Sequence, residues 1–371
     1  MNKKVFETTL GGRTLSVEIG EVAKQANGAA FINYGDSTVL SVVTAKNEPS
    51  PMDFFPLMVI YQEKLYAGGK IPGGFLRREG RPSEHETLTS RLIDRPLRPM
   101  FPEGFKNDVQ IINTVLSSDP DASSEMASLF GSSLVLGISN IPFNGPVAGV
   151  TVGLIDDEFI INPTPEQMEV SKIDLIVAGT KDAINMVEAG AKQVDEDTML
   201  EAILFGHNAI KALVAFQEKI IAELNPEKMD YEVFEIEKDV EKDVHDFAYD
   251  RLIKAVSLFD KLERYRKIDE IKEETVEKFS QKSFFNEVDG IKVFDEKAHK
   301  NYSQQVKTVV DQIVTKEVRR LITEDKVRAD ERKVDEIRPL DSRVDILKRT
   351  HGSALFTRGQ TQALGVVTLG A

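Results

Sequence analysis

The feature that most constrains the fold is a repeat within the chain. Shifted by 324 positions, residues 24–46 align without gaps on residues 348–370. Lys24, Gly28, Ala30, Gly35, Leu40, Val42, Val43 and Thr44 fall on Lys348, Gly352, Ala354, Gly359, Leu364, Val366, Val367 and Thr368, eight identities in 23 positions. Two hairpins can resemble each other by chance, because strand–turn–strand patterns recur. Here both turn glycines and a whole β-branched strand recur together, which marks a second copy of a domain. The first copy extends to about residue 225 before composition changes, whereas the second has only residues 326–371. The expectation is a chain that stops inside its second copy.

Composition then narrows the class. At 371 residues, 41% apolar and 29% charged, the chain has room for two or three domains and the make-up of an ordinary globular protein. No uninterrupted apolar run approaches the roughly 18 residues of a membrane span. The start, Met1-Asn2-Lys3-Lys4-Val5-Phe6-Glu7, turns polar after its two lysines, and no signal peptide follows. The absence of Cys rules out disulfides and thiolate metal sites and fits a reducing compartment. The expectation is a cytoplasmic protein with no membrane partner. A net charge of −14 would seem to exclude a polyanionic ligand, but binding depends on where positive charge sits locally. Residues 70–81 hold four bases (Lys70, Arg77, Arg78, Arg81) against one acid, Glu79, whereas residues 231–280 hold 15 acids and 10 bases. The charge is segregated.

Residues 1–60 read as strands, with 14–19 alternating and 39–44 β-branched and largely apolar. A Gly- and Pro-rich loop covers 61–82. A polar helix over 84–92 ends in the Pro-punctuated Asp94-Arg95-Pro96-Leu97-Arg98-Pro99. A strand over 111–115 and a buried helix over 123–138 follow. Strands over 148–154, 159–161 and 175–178 precede amphipathic helices from 181 to about 224. This is an α+β layered domain, residues 1–225, of mixed β-sheets with packed helices. From 231 to 322 the chain is charged, nearly Gly-free and helix-periodic. That predicts an all-helical linker domain over 226–325, most simply a solvated bundle without chemistry of its own. The truncated second core then occupies 326–371.

The strongest chemical signal is the loop around Gly73-Gly74-Phe75-Leu76-Arg77-Arg78-Glu79-Gly80-Arg81. Glycines allow close approach of backbone to phosphate, guanidinium groups pair with phosphate in a fork, and an aromatic such as Phe75 stacks a base without sequence preference. The set suits single-stranded nucleic acid, through Phe75, Arg77, Arg78 and Arg81. It is no nucleotide-binding P-loop, because Ile71 follows Lys70 where Ser or Thr is needed. The alternative is a surface loop with incidental arginines. Arg91, Arg95 and Arg98 share one helical face and read as an anion-binding ridge or, with Asp94, as a structural ion-pair network. Arg332 lies in a segment of alternating charge, either a salt-bridged lead-in or a phosphate-facing edge. The histidines His85, His207, His245, His299 and His351 show no metal-ligand spacing, and no Ser-His-Asp arrangement is visible.

Taken together these residues resemble the bacterial polynucleotide phosphorylases along the whole chain. The loop from Gly73 to Glu84 is similar to that family's Phe-Phe-Arg-Arg loop, with Leu76 in place of the second Phe. Thr89-Ser90-Arg91-Leu92-Ile93-Asp94-Arg95-Pro96, Ile141-Pro142-Phe143-Asn144-Gly145-Pro146 and Asp174-Leu175-Ile176-Val177-Ala178-Gly179-Thr180 are similar to motifs of its first core. Arg349-Thr350-His351-Gly352-Ser353-Ala354-Leu355-Phe356-Thr357-Arg358-Gly359 resembles the opening of its second. The resemblance implies two ribonuclease PH-like cores joined by an all-helical domain in a ring-shaped homotrimer. It also implies processive 3′-to-5′ phosphorolysis of single-stranded RNA, using inorganic phosphate and Mg²⁺ or Mn²⁺, in company with RNA-degradation machinery. Ser123 and Ser124 resemble phosphate-binding serines, and Arg358 is a further possible phosphate contact. The family's active core places an acid six residues before a second acid and a Lys two residues after it. In this first core the three positions are Met168, Asp174 and Ile176. Met and Ile can neither hold a metal-bound water nor neutralise a phosphoryl oxygen. The expectation is therefore no catalytic and no metal residue in this chain, which supplies the RNA-guiding half. The alternative is a non-catalytic RNA-binding ring scaffold.

Overall fold

A computed structural model describes every residue except 1–2, 51, 53, 75–77, 232–234, 282–283, 289–290 and 371, with backbone alone at 280, 286–288, 291–293 and 297. The chain divides into two compact units, Met1–Phe234 and Glu235–Ala371.

In the first unit, β1 (Lys4–Leu10), β2 (Arg13–Ile19), β3 (Gly28–Tyr34) and β4 (Ser37–Pro49) form an antiparallel meander. Alternation decides its faces: Ala30, Ile32 and Tyr34 are buried, and the residues between them are partly exposed. Then come β5 (Leu57–Glu63), α1 (Glu84–Leu97) and β6 (Asn107–Ser117), which complete a sheet of order β1-β2-β3-β4-β6-β5. Only β5 and β6 run parallel. Parallel neighbours cannot be joined by a tight turn. The basic loop and α1 are the crossover that joins them, which places the loop at one end of the sheet.

Next, α2 (Ser124–Ile138) packs on β3, β4 and β6. Every α2 residue from Met126 to Gly137 is buried, which explains its run of Ala, Ser, Gly and Leu without a polar face. The backbone comes close at Gly131, where a Cβ would sit 2.2 Å from Ser41 Oγ and 2.8 Å from Ile32 Cγ1. Beyond α2 lie β7 (Ala148–Ile155), β8 (Glu158–Ile161), α3 (Pro165–Val170), β9 (Ile173–Gly179), β10 (Ile184–Ala191) and α4 (Glu196–Leu224). Their strands form an antiparallel sheet of order β10-β9-β7-β8, which packs against α2 and α4. By length and composition α4 could cross a membrane. Here Ala202, Ile210, Leu213, Val214 and Ile220 bury its inner face in the core of the unit.

Two expectations fail in this unit. Residues 184–191 are an edge strand, not the start of a helix. Their Ala, Met and Glu favour helix, but pairing with β9 overrides a propensity worth only tenths of a kcal/mol per residue. The helix α1 also continues through Pro96, which sits in the last turn, where a missing N–H costs one bond rather than a whole helix.

The second unit opens with α5 (Lys238–Val256) and α6 (Lys261–Ser280), then β11 (Phe285–Val288), β12 (Ile291–Phe294) and α7 (Glu296–Arg320). The three helices share a core that includes Val244, Leu252, Ile271, Val306 and Val310. The β11–β12 hairpin corrects the all-helical expectation. An Asp-Gly pair at 289–290 in the sequence is the signal that helical periodicity masked.

Last come β13 (Leu340–Val344), β14 (Gly352–Arg358) and β15 (Thr361–Val367). They carry the repeat into backbone geometry. Gly28 pairs with Val43 and Tyr34 with Ser37, and Gly352 pairs with Val367 and Arg358 with Thr361, each displaced by the same 324 positions. Both turns place glycine at positive φ, +56° at Gly35 and +59° at Gly359, which L side chains rarely adopt. The likeness reaches one strand further than the identities: Leu15 opposite Tyr34 is matched by Leu340 opposite Arg358. In the first copy α2 covers this meander, whereas in the second β15 is exposed along its length.

Candidate nucleic-acid interface

The crossover loop is fastened at both ends. Glu79 accepts from Lys64 Nζ at 2.9 Å and from the Leu65 N–H at 2.8 Å. The Leu65 amide, and after it Lys64, hold the Glu79 carboxyl below its usual range. At the far end Ser83 caps α1. Its Oγ accepts from the Glu86 N–H at 3.2 Å, and Glu86 accepts from the Ser83 N–H at 2.6 Å in return. The second Glu86 oxygen accepts from the Glu63 N–H at 2.9 Å, tying the cap to the end of β5. Burial pushes the Glu86 carboxyl up, and the Ser83 and Glu63 amides more than reverse it, so that its value is lowered.

Electrostatics follow from this stapling. The one acid of the basic segment is neutralised by Lys64, a residue outside it. Arg78 and Arg81 are exposed, and among the described residues neither they nor Lys70 has an ion-pair partner. Phe75 and Arg77 lie outside the described residues. A pocket of about 380 Å³ opens at the loop stem, lined by Lys64, Lys70, Glu79, Arg81, Ser83 and Glu86 among others.

The arginine ridge on α1 divides into separate roles. Arg98 forms a two-pronged pair with Asp94, Nε to Oδ2 at 2.9 Å and Nη2 to Oδ1 at 2.7 Å. It also donates to the carbonyls of Phe55 (3.1 Å) and Leu57 (3.0 Å), so it fastens the helix end to the segment entering β5. Arg95 pairs with Glu188 of β10 at 2.6 Å. Arg91 is exposed, and no ion pair holds it among the described residues. The ridge is mainly the structural network, with Arg91 left over.

The serine pair is similarly engaged. Ser123 Oγ caps α2 by accepting from the Met126 N–H at 3.2 Å and donates to Glu125 Oε2 at 2.6 Å. Ser124 is buried, its Oγ 2.8 Å from the Tyr61 hydroxyl. Neither hydroxyl is free to meet a phosphate without giving up a bond. Among the other family positions, Met168 lies on α3, and Asp174 and Ile176 lie on β9.

In the second unit, structure joins two arginines that sequence left apart. Arg332 and Arg358 line one pocket of about 660 Å³ with Phe259, Lys261, Tyr265 and Arg338. Arg332 is committed, to Asp330 Oδ2 at 3.0 Å and to the Glu336 carbonyl at 2.7 Å. Arg358 is exposed, and Phe259 and Tyr265 present rings that are 64% and 53% exposed beside it. Arg338 pairs with Asp330, and Asp260, Glu331 and Glu336 also line the pocket, so the feature suited to single-strand binding is the exposed aromatics with Arg358. Sequence reasoning missed Phe259, Lys261 and Tyr265, which looked like ordinary residues of a charged helix, whereas Arg338 lies in the same alternating-charge segment as Arg332.

Residues 11–142 match the profile of the 3′ exoribonuclease family, domain 1, and residues 145–209 match domain 2 of that family. Residues 239–333 match the polyribonucleotide nucleotidyltransferase RNA binding domain. Along its whole length the chain is 65% identical to the polyribonucleotide nucleotidyltransferase of Acholeplasma laidlawii and 57% identical to that of Bacillus subtilis. The chain belongs to the polyribonucleotide nucleotidyltransferase family. It spans about half the length of these curated relatives, 52% and 50% respectively. Within the family's organisation, the first unit carries the ribonuclease PH-type α+β core. The helical segment, which composition read as a bundle without chemistry, is the part that matches the RNA-binding profile.

Proposed function

We propose that the protein is a phosphorolytic 3′-to-5′ exoribonuclease acting on single-stranded RNA, and that this chain forms its RNA-guiding half. One observation carries the reading: a basic loop stapled at both ends to a ribonuclease PH-type core, with Arg78 and Arg81 exposed and without an ion-pair partner among the described residues. A stapled loop loses less conformational entropy on gripping a strand than a free one. The pocket around Phe259, Tyr265 and Arg358 offers a second hold of the same chemistry on the other unit.

Phosphorolysis needs inorganic phosphate as co-substrate and a divalent ion, Mg²⁺ or Mn²⁺, to neutralise the phosphoryl oxygens. Met168 and Ile176 provide no ligand or cation for this at the positions flanking Asp174. The first core therefore guides RNA, and chemistry belongs to a core with the full acid and lysine set. A homotrimer in the cytoplasm, in contact with RNA-degradation machinery, completes the proposal. The test incubates the full-length protein and the 371-residue chain separately with poly(A), phosphate and Mg²⁺. Nucleoside diphosphates are expected from the first and none from the second. Diphosphates from the 371-residue chain would refute a non-catalytic first core, and none from the full-length protein would refute phosphorolysis.

A further inference from the structure

We propose that Glu63, His85 and Glu125 form a binding site on the first unit for a divalent transition ion of the zinc class. The three residues come from separate elements: the last residue of β5 and the first turns of α1 and α2. Their ligand atoms all lie within 4.8 Å of one another. His85 Nε2 is 3.2 Å from Glu63 Oε1 and 3.3 Å from Glu125 Oε1. Ligands about 2.0–2.2 Å from a tetrahedral zinc stand about 3.3–3.5 Å apart, so both spacings are close to edges of that tetrahedron.

A protonated histidine bridging two carboxylates does not account for this arrangement as well. Nε2 carries one hydrogen, which would have to be shared between the two oxygens in a three-centre bond. A metal ion uses the Nε2 lone pair and both oxygens together.

Both carboxylates are held in place from behind. The Tyr61 hydroxyl donates to Glu63 Oε1 at 2.6 Å, and Ser123 Oγ donates to Glu125 Oε2 at 2.6 Å. Tyr61 is almost wholly buried and its hydroxyl also lies 2.8 Å from Ser124 Oγ, so this support is held rigidly in the core of the unit. Outer partners of this kind fix the orientation of metal ligands. The charge balance also favours a cation. Two helix N-termini contribute about half a positive charge each, against two full negative charges from the carboxylates. His85 is 55% exposed, which leaves an entry path and room for water in a fourth position.

The donor set separates this site from the ion of the proposed reaction. Mg²⁺ prefers oxygen ligands and retains several waters, whereas one imidazole with two carboxylates suits Zn²⁺ or Co²⁺.

The test titrates the chain with ZnCl₂ by calorimetry, then with CoCl₂ by visible absorption, alongside His85→Ala and Glu125→Gln. One Zn²⁺ equivalent is expected to disappear in His85→Ala, and affinity is expected to fall at least tenfold in Glu125→Gln. The visible bands of tetrahedral Co²⁺ should appear only with the parent chain. Excess Mg²⁺ should not displace the ion. Both positions are at least partly exposed, and unchanged far-UV dichroism would confirm that the variants fold. Equal Zn²⁺ stoichiometry and affinity in the parent chain and His85→Ala, no binding by either, or displacement by Mg²⁺ would overturn the proposal.

Discussion

Replacing Arg78 and Arg81 together by Ala removes two exposed cations that no carboxylate offsets among the described residues. If each meets one phosphate of a single strand, each releases counterions, worth about 0.7 in the slope of log K against log salt. The double variant should then have a slope shallower by about 1.4. Over a fourfold rise, from about 50 to 200 mM salt, the parent chain would lose about sevenfold more affinity than the variant. The assay is fluorescence anisotropy of a labelled oligo(A) at several KCl concentrations. Arg98→Ala serves as the control, because its guanidinium is spent on Asp94 and on the Phe55 and Leu57 carbonyls. That control should melt earlier, by about 1 kcal/mol of stability for a half-exposed pair with two carbonyl bonds, and keep the parent slope. A double variant whose slope runs parallel to that of the parent would refute the phosphate-gripping role, whatever happened to its affinity.

Two further outcomes follow from the same geometry. The folded-state pKa of Glu79 is lowered, so its hold on the loop stem is complete above the usual carboxylate range and fades as pH falls through the lower folded value. Amide exchange at Leu65, corrected for intrinsic rates, should lose protection on acidification and be weakly protected at every pH in Glu79→Ala; protection that ignores pH would contradict this. Gly131→Ala would press a Cβ against Ser41 Oγ, which already bonds Asn113 Oδ1 at 2.7 Å in a buried network with Ser132. It should cost about 1–3 kcal/mol by urea denaturation, while Gly80→Ala, with nothing within 4 Å of its Cβ, should cost far less. Equal costs would mean that the close approach of α2 to the sheet carries no weight.

Where a signal was local, the chain itself carried it. The strands at 14–19 and 39–44 and the buried helix near 123–138 were legible from periodicity and residue size, since each element's own side chains record which face is covered. The stem of the basic loop carried a local signal of the same kind, the capping pair Ser83 and Glu86 three residues apart, which the sequence reading passed over. The edge strand β10 was not legible, because its exposed side chains say little and only a neighbour's backbone makes it a strand. The site candidates divide along the same line. Sequence pointed to the loop arginines but could not tell that Arg98 and Arg332 were already spent, since their partners include backbone carbonyls that leave no mark in residue identity.

By itself the sequence determined the duplication. Gly35 and the Val42-Val43-Thr44 strand reappear at one fixed offset because a glycine turn at positive φ and a β-branched strand are local demands that residue type must meet. Tertiary structure alone decided which chemistry meets in space. Glu63, His85 and Glu125 are 22 and 40 residues apart along the chain and share no spacing rule, yet the parallel β5–β6 crossover brings the end of one strand and the starts of two helices to one point. Proximity of that kind depends on how elements pack, not on what any one of them contains.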